Sequence, residues 1–270
     1  MATVRLADYR PAPCLISHTS LLVQLFADHA LVEADLQLEP NPVAEAGPLT
    51  LEGVDLELLS LELDGLPLAA SAYRLEGQQL VLREPPARPF RLRSRVRIHP
   101  ECNTSLEGLY VSGGMFTTQC EAVGFRRITF HPDRPDLLSR FRVRIEAERS
   151  SCPVLLSNGN CVETGALPQG RHYAIWDDPF PKPSYLFALV AGELEEVRGA
   201  FITGSGRTVQ LRLHVEPGDA PYTAHAMASL QRSMRWDEQR YGLEYDLDEF
   251  NIVAVRHFNM GAMENKSLNI

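Results

Sequence analysis

FRLRSRVRI, residues 90–98, decides the class of this chain: Phe90, Leu92, Val96 and Ile98 alternate with Arg91, Arg93, Arg95 and Arg97. A period of two belongs to a strand, so one face of this segment is basic and the other is buried. On either side of it, Leu21 to Phe26, Val54 to Leu63, Phe141 to Ala147 and the apolar run Tyr185 to Val190 read as further short strands, separated by Pro, Gly and Asn. Nothing between Leu21 and Ala191 sustains a helical period, so this part is predicted to be all-β, with strands enough for a sandwich and a pairing order that is not readable. Leu15 to Tyr73 carries many carboxylates and no Lys or Arg, whereas Arg83 to Arg97 is rich in arginine. These stretches read first as two solvated faces, and second as sheet edges that attract each other.

After Gly192 the pattern changes. A strand at Thr208 to Val215 precedes a helix from about Ala220 to Tyr241, with Met227, Leu230, Met234 and Tyr241 on one face, Asp219 as N-cap and Gly242 as the stop. Such a methionine stripe is core packing. A β-run, Asn251 to Val255, then leads into FNMGAMENKSLNI. Residues 1–192 are therefore expected to form one domain and residues 193–270 to begin another.

At 270 residues the chain has room for two domains, and 44% hydrophobic with 23% charged residues marks a folded, soluble protein rather than a disordered or fibrous one. A formal charge of -9 repels phosphate backbones and anionic lipid, so neither nucleic acid nor membrane is expected as a partner. Five cysteines without a C-x-x-C pair suggest neither a disulfide framework nor a cysteine zinc site, and fit a reducing cytoplasm. The N-terminus lacks the apolar core of a signal peptide, and the longest apolar run, Tyr185 to Ala191, is far too short to span a bilayer. A cytoplasmic location is expected.

The eight histidines include no i,i+4 pair, so no H-E-x-x-H zinc motif is present. Gly204-Ser205-Gly206 lacks the third glycine of a dinucleotide loop, and no G-x-S-x-G elbow occurs. Asp246, Asp248 and Glu249 lack calcium-loop spacing and read as a solvated loop. Two segments hold more: Thr118-Gln119-Cys120-Glu121-Ala122, and Gly261-Ala262-Met263-Glu264-Asn265 after a predicted strand. On its own Glu121 reads as a surface carboxylate. Around Glu264, the small Gly261 and Ala262 permit either the approach of a peptide backbone to a strand edge or an ordinary bulge.

GAMEN is the exopeptidase signature of the aminopeptidase N family of zinc aminopeptidases, and the chain resembles the N-terminal portion of its bacterial members. The likeness extends to NTSLEGLY at Asn103 to Tyr110, to TQCEA, to GFRRITF followed by DRPD, to LLSNGN, to DDPFPKPSYLFALVAG at Asp177 to Gly192 and to SMRWDEQRYGLEYDLDEFNIVAV. It implies a mainly β fold: an N-terminal β-sandwich-like domain, then the start of an α+β thermolysin-like catalytic domain. It also implies zinc in the longer enzyme, with its H-E-x-x-H and a further Glu expected after Ile270. No metal ligand and no catalytic base is expected within these residues, so the chain alone is expected to be inactive.

What the resemblance leaves here is substrate recognition. A peptide α-amine, with a pKa near 8, is largely cationic at neutral pH and calls for carboxylates. By resemblance Glu121 and Glu264 receive that ammonium, with Gln119 as a neutral neighbour; Met260 lines the pocket for the first side chain, and Gly261 and Ala262 hold substrate backbone. Met263 and Asn265 complete the substrate-binding segment. The implied partner is a peptide with a free N-terminus, trimmed one residue at a time. Ser267 stands after Lys266 where the family commonly has Gly, and His131 where an aromatic is usual. A non-catalytic peptide-binding scaffold and a related epoxide hydrolase are the alternatives; an H-E-x-x-H in the codons after Ile270 excludes the scaffold, and its absence excludes the enzyme.

Overall fold

The computed structural model describes residues 5–270, so residues 1–4 of the expected first domain lie outside the described residues. Its largest sheet runs in the order β13 (Asn160–Ala166), β14 (Arg171–Lys182), β11 (Ser139–Glu148), β1 (Cys14–Leu25), β2 (Ala30–Pro40), β8 (Phe90–Ile98), β4 (Glu57–Leu63) and β5 (Leu66–Pro67). Neighbours are antiparallel except β1 and β11, which are parallel. A second sheet has the order β12 (Val154–Ser157), β15 (Leu189–Gly192), β10 (Met115–Gln119) and β9 (Gly108–Ser112), and a small third one the order β3 (Leu49–Glu52), β7 (Gln79–Leu82) and β6 (Tyr73–Glu76). Buried side chains of all three, including Val23, Leu36 and Val96, Leu156 and Val190, and Leu51 and Leu80, join in one core. The fold is mainly β and sandwich-like, as the strand pattern implied.

FRLRSRVRI occupies β8 from end to end, with Phe90, Leu92, Val96 and Ile98 buried. Its arginines meet the carboxylates that the sequence left on separate faces, because β8 lies between β2 and β4. Arg91 reaches Asp35 at 2.6 Å, Arg93 reaches Asp35 at 3.1 Å and Glu33 at 3.5 Å, and Arg97 reaches Glu57 at 2.9 Å. The second reading of those stretches, mutual attraction, is the one that holds. The guanidinium ends stay about half exposed to water, which screens these pairs although Asp35 is buried, so they specify register more than they stabilise.

The expected strand Tyr185 to Val190 is displaced. A 3-10 turn occupies Ser184–Leu186, and β15 starts only at Leu189. Pro183, immediately after β14, has no N–H for a ladder, which ends that strand before the turn. Beneath this entry Phe187 packs with Phe125 and Phe141, at 5.2 Å from the first and 5.8 Å from the second, all three buried. Burying each ring contributes about 2–3 kcal/mol, which anchors both the segment after β10 and the entry to β15.

A fourth sheet contains β16 (Glu195–Ile202), β17 (Thr208–Val215), β18 (Glu249–Val253) and β19 (Leu268–Asn269), in that order. The helix α1 (Ala224–Tyr241) starts later than expected. Asp219 precedes a separate 3-10 turn, Ala220–Tyr222, makes no side-chain capping bond, and does not cap α1. Gly242, at φ +67°, ends α1 as expected, donating its N–H to Glu238 O. Met234 is buried against Phe201, Val209 and Leu211 of the sheet, and Met227 and Leu230 pack partly against them. Tyr241, expected on the same face, is 62% exposed and meets Trp236 edge-on instead. Val253, Leu268 and Ile270 belong to the large core, which fastens the last strands to the β-sheets before them.

Candidate functional site

Gln119 ends β10 and is buried. Its Oε1 accepts the Glu121 N–H at 3.1 Å, while its Nε2 is buried without a hydrogen-bond partner. Thr118 Oγ1 accepts the Leu189 N–H at 2.8 Å and holds the end of β10 against β15. The chain returns under the site through Gly124, whose N–H donates to Cys120 O at 2.8 Å; a Cβ there would lie 2.5 Å from Gln119 O. Cys120 is fully buried, and burial pushes its thiol well above its ordinary range. Glu121, next to it, is half-buried and its carboxylate has no hydrogen bond or ion pair among the described residues.

The segment Gly261 to Asn265 is not strand, so the expected exposed strand edge is corrected to a bend at Gly261 followed by irregular chain. Met263 exchanges backbone hydrogen bonds with Ile270, its N–H reaching Ile270 O at 2.7 Å and its O accepting the Ile270 N–H at 3.3 Å. A turn between them closes with Leu268 N–H on Asn265 O, 3.3 Å. Ser267 sits in that turn at φ +64°, the left-handed region that glycine adopts freely. The hydroxyl offsets the strain: Ser267 Oγ accepts the Gly159 N–H at 2.6 Å.

The side chains of this segment divide. Met263 and Asn265 are buried, whereas Met260, Gly261, Ala262 and Glu264 are exposed. Glu264, like Glu121, has no side-chain hydrogen bond or ion pair among the described residues. Lys266 turns away from it, its Nζ 3.0 Å from Asp246 Oδ2 and 3.7 Å from the centre of the Phe180 ring. Met260, Gly261 and Ala262 line a groove of about 630 Å³ whose other walls include Leu230, Val255 and Phe258. Gln119, Glu121 and Glu264 are not among its walls.

Both segments are fastened to the first three sheets. Before the exposed residues, Tyr110 Oη donates to His257 O at 2.9 Å, the His257 N–H to Ser112 Oγ at 3.2 Å, and Asn259 Nδ2 to Leu106 O at 2.9 Å. After them, Asn265 Nδ2 donates to Phe187 O at 3.3 Å, leaving its Oδ1 buried without a partner. Gln119, through Thr118, and Asn265 thus flank one stretch, Phe187 to Leu189. Sequence reading placed Asn265 in the substrate-binding segment but assigned no tethering role to it, to Thr118, Tyr110, Ser112, His257 or Asn259.

Among the described residues there is no group of three or more His, Cys, Asp or Glu side chains placed to hold a metal ion, and no helix is long and apolar enough to cross a membrane.

Residues 17–186 match a family model described as the Peptidase M1 N-terminal domain, and residues 225–270 one described as the Peptidase family M1 domain. Aminopeptidase N of Caulobacter vibrioides is 54% identical over 99% of this chain, and that of Escherichia coli 49% identical over 97%. The chain spans 31% and 30% of the lengths of these two relatives. Among solved structures, Legionella pneumophila aminopeptidase A in complex with aspartic acid aligns with a TM-score of 0.94 and 33% identity, over 98% of this chain and 31% of that one. An M1 zinc metallopeptidase mutant from Deinococcus radiodurans, bound to a Tyr-Ser-Ala substrate, shares the fold at TM-score 0.80 and 17% identity, over 96% of this chain and 60% of that one.

Proposed function

Because the chain belongs to the peptidase M1 family, we propose that it is the substrate-recognition part of a zinc-dependent aminopeptidase that removes N-terminal residues from peptides. One observation carries this reading. Glu121 and Glu264 are both free of partners among the described residues, although their segments are tethered to the same stretch, Phe187 to Leu189. Two such carboxylates suit a peptide ammonium, which donates charge-assisted hydrogen bonds to both. An internal peptide bond offers no cation and leaves both carboxylates unpaired, which restricts cleavage to chain ends.

In this reading Gln119 is the neutral neighbour, its unpartnered Nε2 remaining a donor. Met260 forms a deformable wall for the first side chain, and the exposed Gly261 and Ala262 hold substrate backbone. The buried Met263 and Asn265 carry Glu264 between them. We further propose that the chain divides at residues 192/193. The family implies zinc, and in this reading its ligands lie outside these residues, among which no group of three or more His, Cys, Asp or Glu side chains is placed to hold a metal ion. The chain alone is therefore inactive in this reading.

The test has two parts. Zinc titration of the 270-residue chain should find no stoichiometric tight site, and an aminoacyl reporter should remain uncleaved. In the full-length gene product, Glu264→Gln and Glu121→Gln should each remove one charge-assisted bond, about 1.5–3 kcal/mol, lowering kcat/KM about ten- to a hundredfold without changing zinc content. Preference for a free amine over its N-acetylated analogue should shrink. Wild-type kcat/KM and preference in both variants would overturn the assignment.

A further inference from the structure

Asn158 is buried, and its one carboxamide bonds three backbone groups on two segments. Its Nδ2 donates to Leu186 O at 3.1 Å and to Lys266 O at 2.8 Å, and its Oδ1 accepts the Ala188 N–H at 2.8 Å. Leu186 and Ala188 bracket Phe187, the residue whose carbonyl accepts from Asn265. The next N–H along, that of Leu189, is the one held by Thr118 Oγ1 at 2.8 Å, immediately before Gln119. Beside the direct bond from Asn265 to Phe187, a second route from Glu264 to Glu121 therefore runs from Lys266 through the Asn158 side chain to Ala188 and Leu189, then through Thr118 to Gln119. Every hydrogen bond along it is 2.8 Å.

The turn that carries Asn158 has little room to relax. Gly159 lies at φ +92°, and a Cβ there would come within 2.1 Å of Asp177 O. Its N–H, bonded to Ser267 Oγ, is a second fastening of the same turn to the same loop. A carboxamide suits the position because the groups to be joined are two carbonyls and one N–H. Aspartate cannot donate to the carbonyls, and an aliphatic side chain leaves all three groups without this partner.

We propose that Asn158 is a positioning residue: it sets the placement of Glu264 relative to Glu121, so that the two carboxylates converge on a single ammonium. The inference rests on the amine-reading role proposed above. Its consequence follows from the steepness of charge-assisted hydrogen bonds with geometry, where a misplacement of about 1 Å by a residue remote from the chemistry costs up to about a hundredfold.

The experiment compares five forms of the full-length gene product: wild type, Asn158→Asp, Thr118→Val, Glu264→Gln and Asn41→Ala. Asn158→Asp keeps the shape and the Ala188 bond but loses both donations, and Thr118→Val cuts the route at its other link. Asn41→Ala is the control for structural loss alone, since Asn41 Nδ2 likewise ties down a backbone carbonyl, that of Ala12 at 2.8 Å, elsewhere in the fold. The readouts are kcat and KM for an aminoacyl reporter, inhibition by leucinamide against N-acetyl-leucinamide, and Tm. Asn158→Asp and Thr118→Val should raise KM about ten- to a hundredfold and flatten the leucinamide preference, as Glu264→Gln does, whereas Asn41→Ala should lower only Tm. If either fails to fold, the other still interrupts the route. Loss of Tm alone in the foldable variants, as in Asn41→Ala, overturns the positioning role while the effect of Glu264→Gln upholds the amine reading. A wild-type Glu264→Gln instead overturns the amine reading, and the inference with it.

Discussion

His131 makes this protein acid-sensitive in a way that can be worked out from its surroundings. The side chain is 1% exposed, and its Nδ1 accepts the Asp133 N–H at 3.1 Å, which fixes the neutral tautomer with the proton on Nε2. Nε2 is buried without a partner, and the ring meets Phe125 edge-on at 4.9 Å. Desolvation lowers the pKa from 6.5 to about 4, against a smaller opposing pull from the Asp133 carboxylate. That carboxylate is already engaged by Arg126 Nε at 2.8 Å and Ser184 Oγ at 2.7 Å. Because the folded pKa lies below the unfolded one, the unfolded chain binds more protons between pH 4 and 6.5, so this group's contribution to stability rises with pH in that window and is lost on acidification. With these two values, acidifying from pH 7.5 to pH 5 costs about 2 kcal/mol through His131 alone. Urea unfolding at the two pH values measures it, with His131→Phe as the comparison because phenylalanine keeps an aromatic ring and does not titrate. The variant should lose about 2 kcal/mol less than the wild type over this interval, whatever its absolute stability. An equal loss in both proteins would show that His131 does not carry this acid sensitivity.

Lys182 and Asp178 form a buried pair at 2.9 Å, so Lys182→Met should strand a carboxylate and destabilise by about 3–5 kcal/mol in thermal or chemical denaturation. Replacing both partners with apolar residues should recover most of that loss, and a single variant as stable as wild type would contradict the burial argument. At Ser267, alanine keeps the left-handed backbone and removes the acceptor of the Gly159 N–H, which should cost about 1–3 kcal/mol. Ser267→Gly loses the same bond but relieves the backbone by about 1 kcal/mol, so it should be the more stable of the two in urea.

Where neighbouring residues carry the information, the amino-acid order was enough. The alternation in Phe90 to Ile98 defines β8 because strand periodicity is local, and Gly242 ends α1 because a left-handed stop needs only its own φ. Asp219 misled because Pro221 follows it and Ala220–Tyr222 closes as a separate 3-10 turn before α1 begins. The arginines of β8 were visible from the start, yet whether they faced water or carboxylates depended on β2 and β4 arriving on either side, which no local period encodes.

The candidate site divides in the same way. Family resemblance brought Gln119, Glu121 and the Gly261 to Asn265 segment forward as residue types, because an ammonium demands carboxylates wherever it is read. Their arrangement was not legible. Irregular chain replaced the expected strand edge because the chain folds back to pair Met263 with Ile270, and burial on one side leaves Glu264 exposed between Met263 and Asn265. The bond from Asn158 to Lys266 spans 108 residues and that from Thr118 to Leu189 spans 71. Hydrogen bonds of such separation exist only once the sheets have packed, since each joins segments that local propensity leaves independent. Side-chain chemistry was written in the order of residues; the placement of those side chains came from the core that draws Phe125, Phe141 and Phe187 together beneath them.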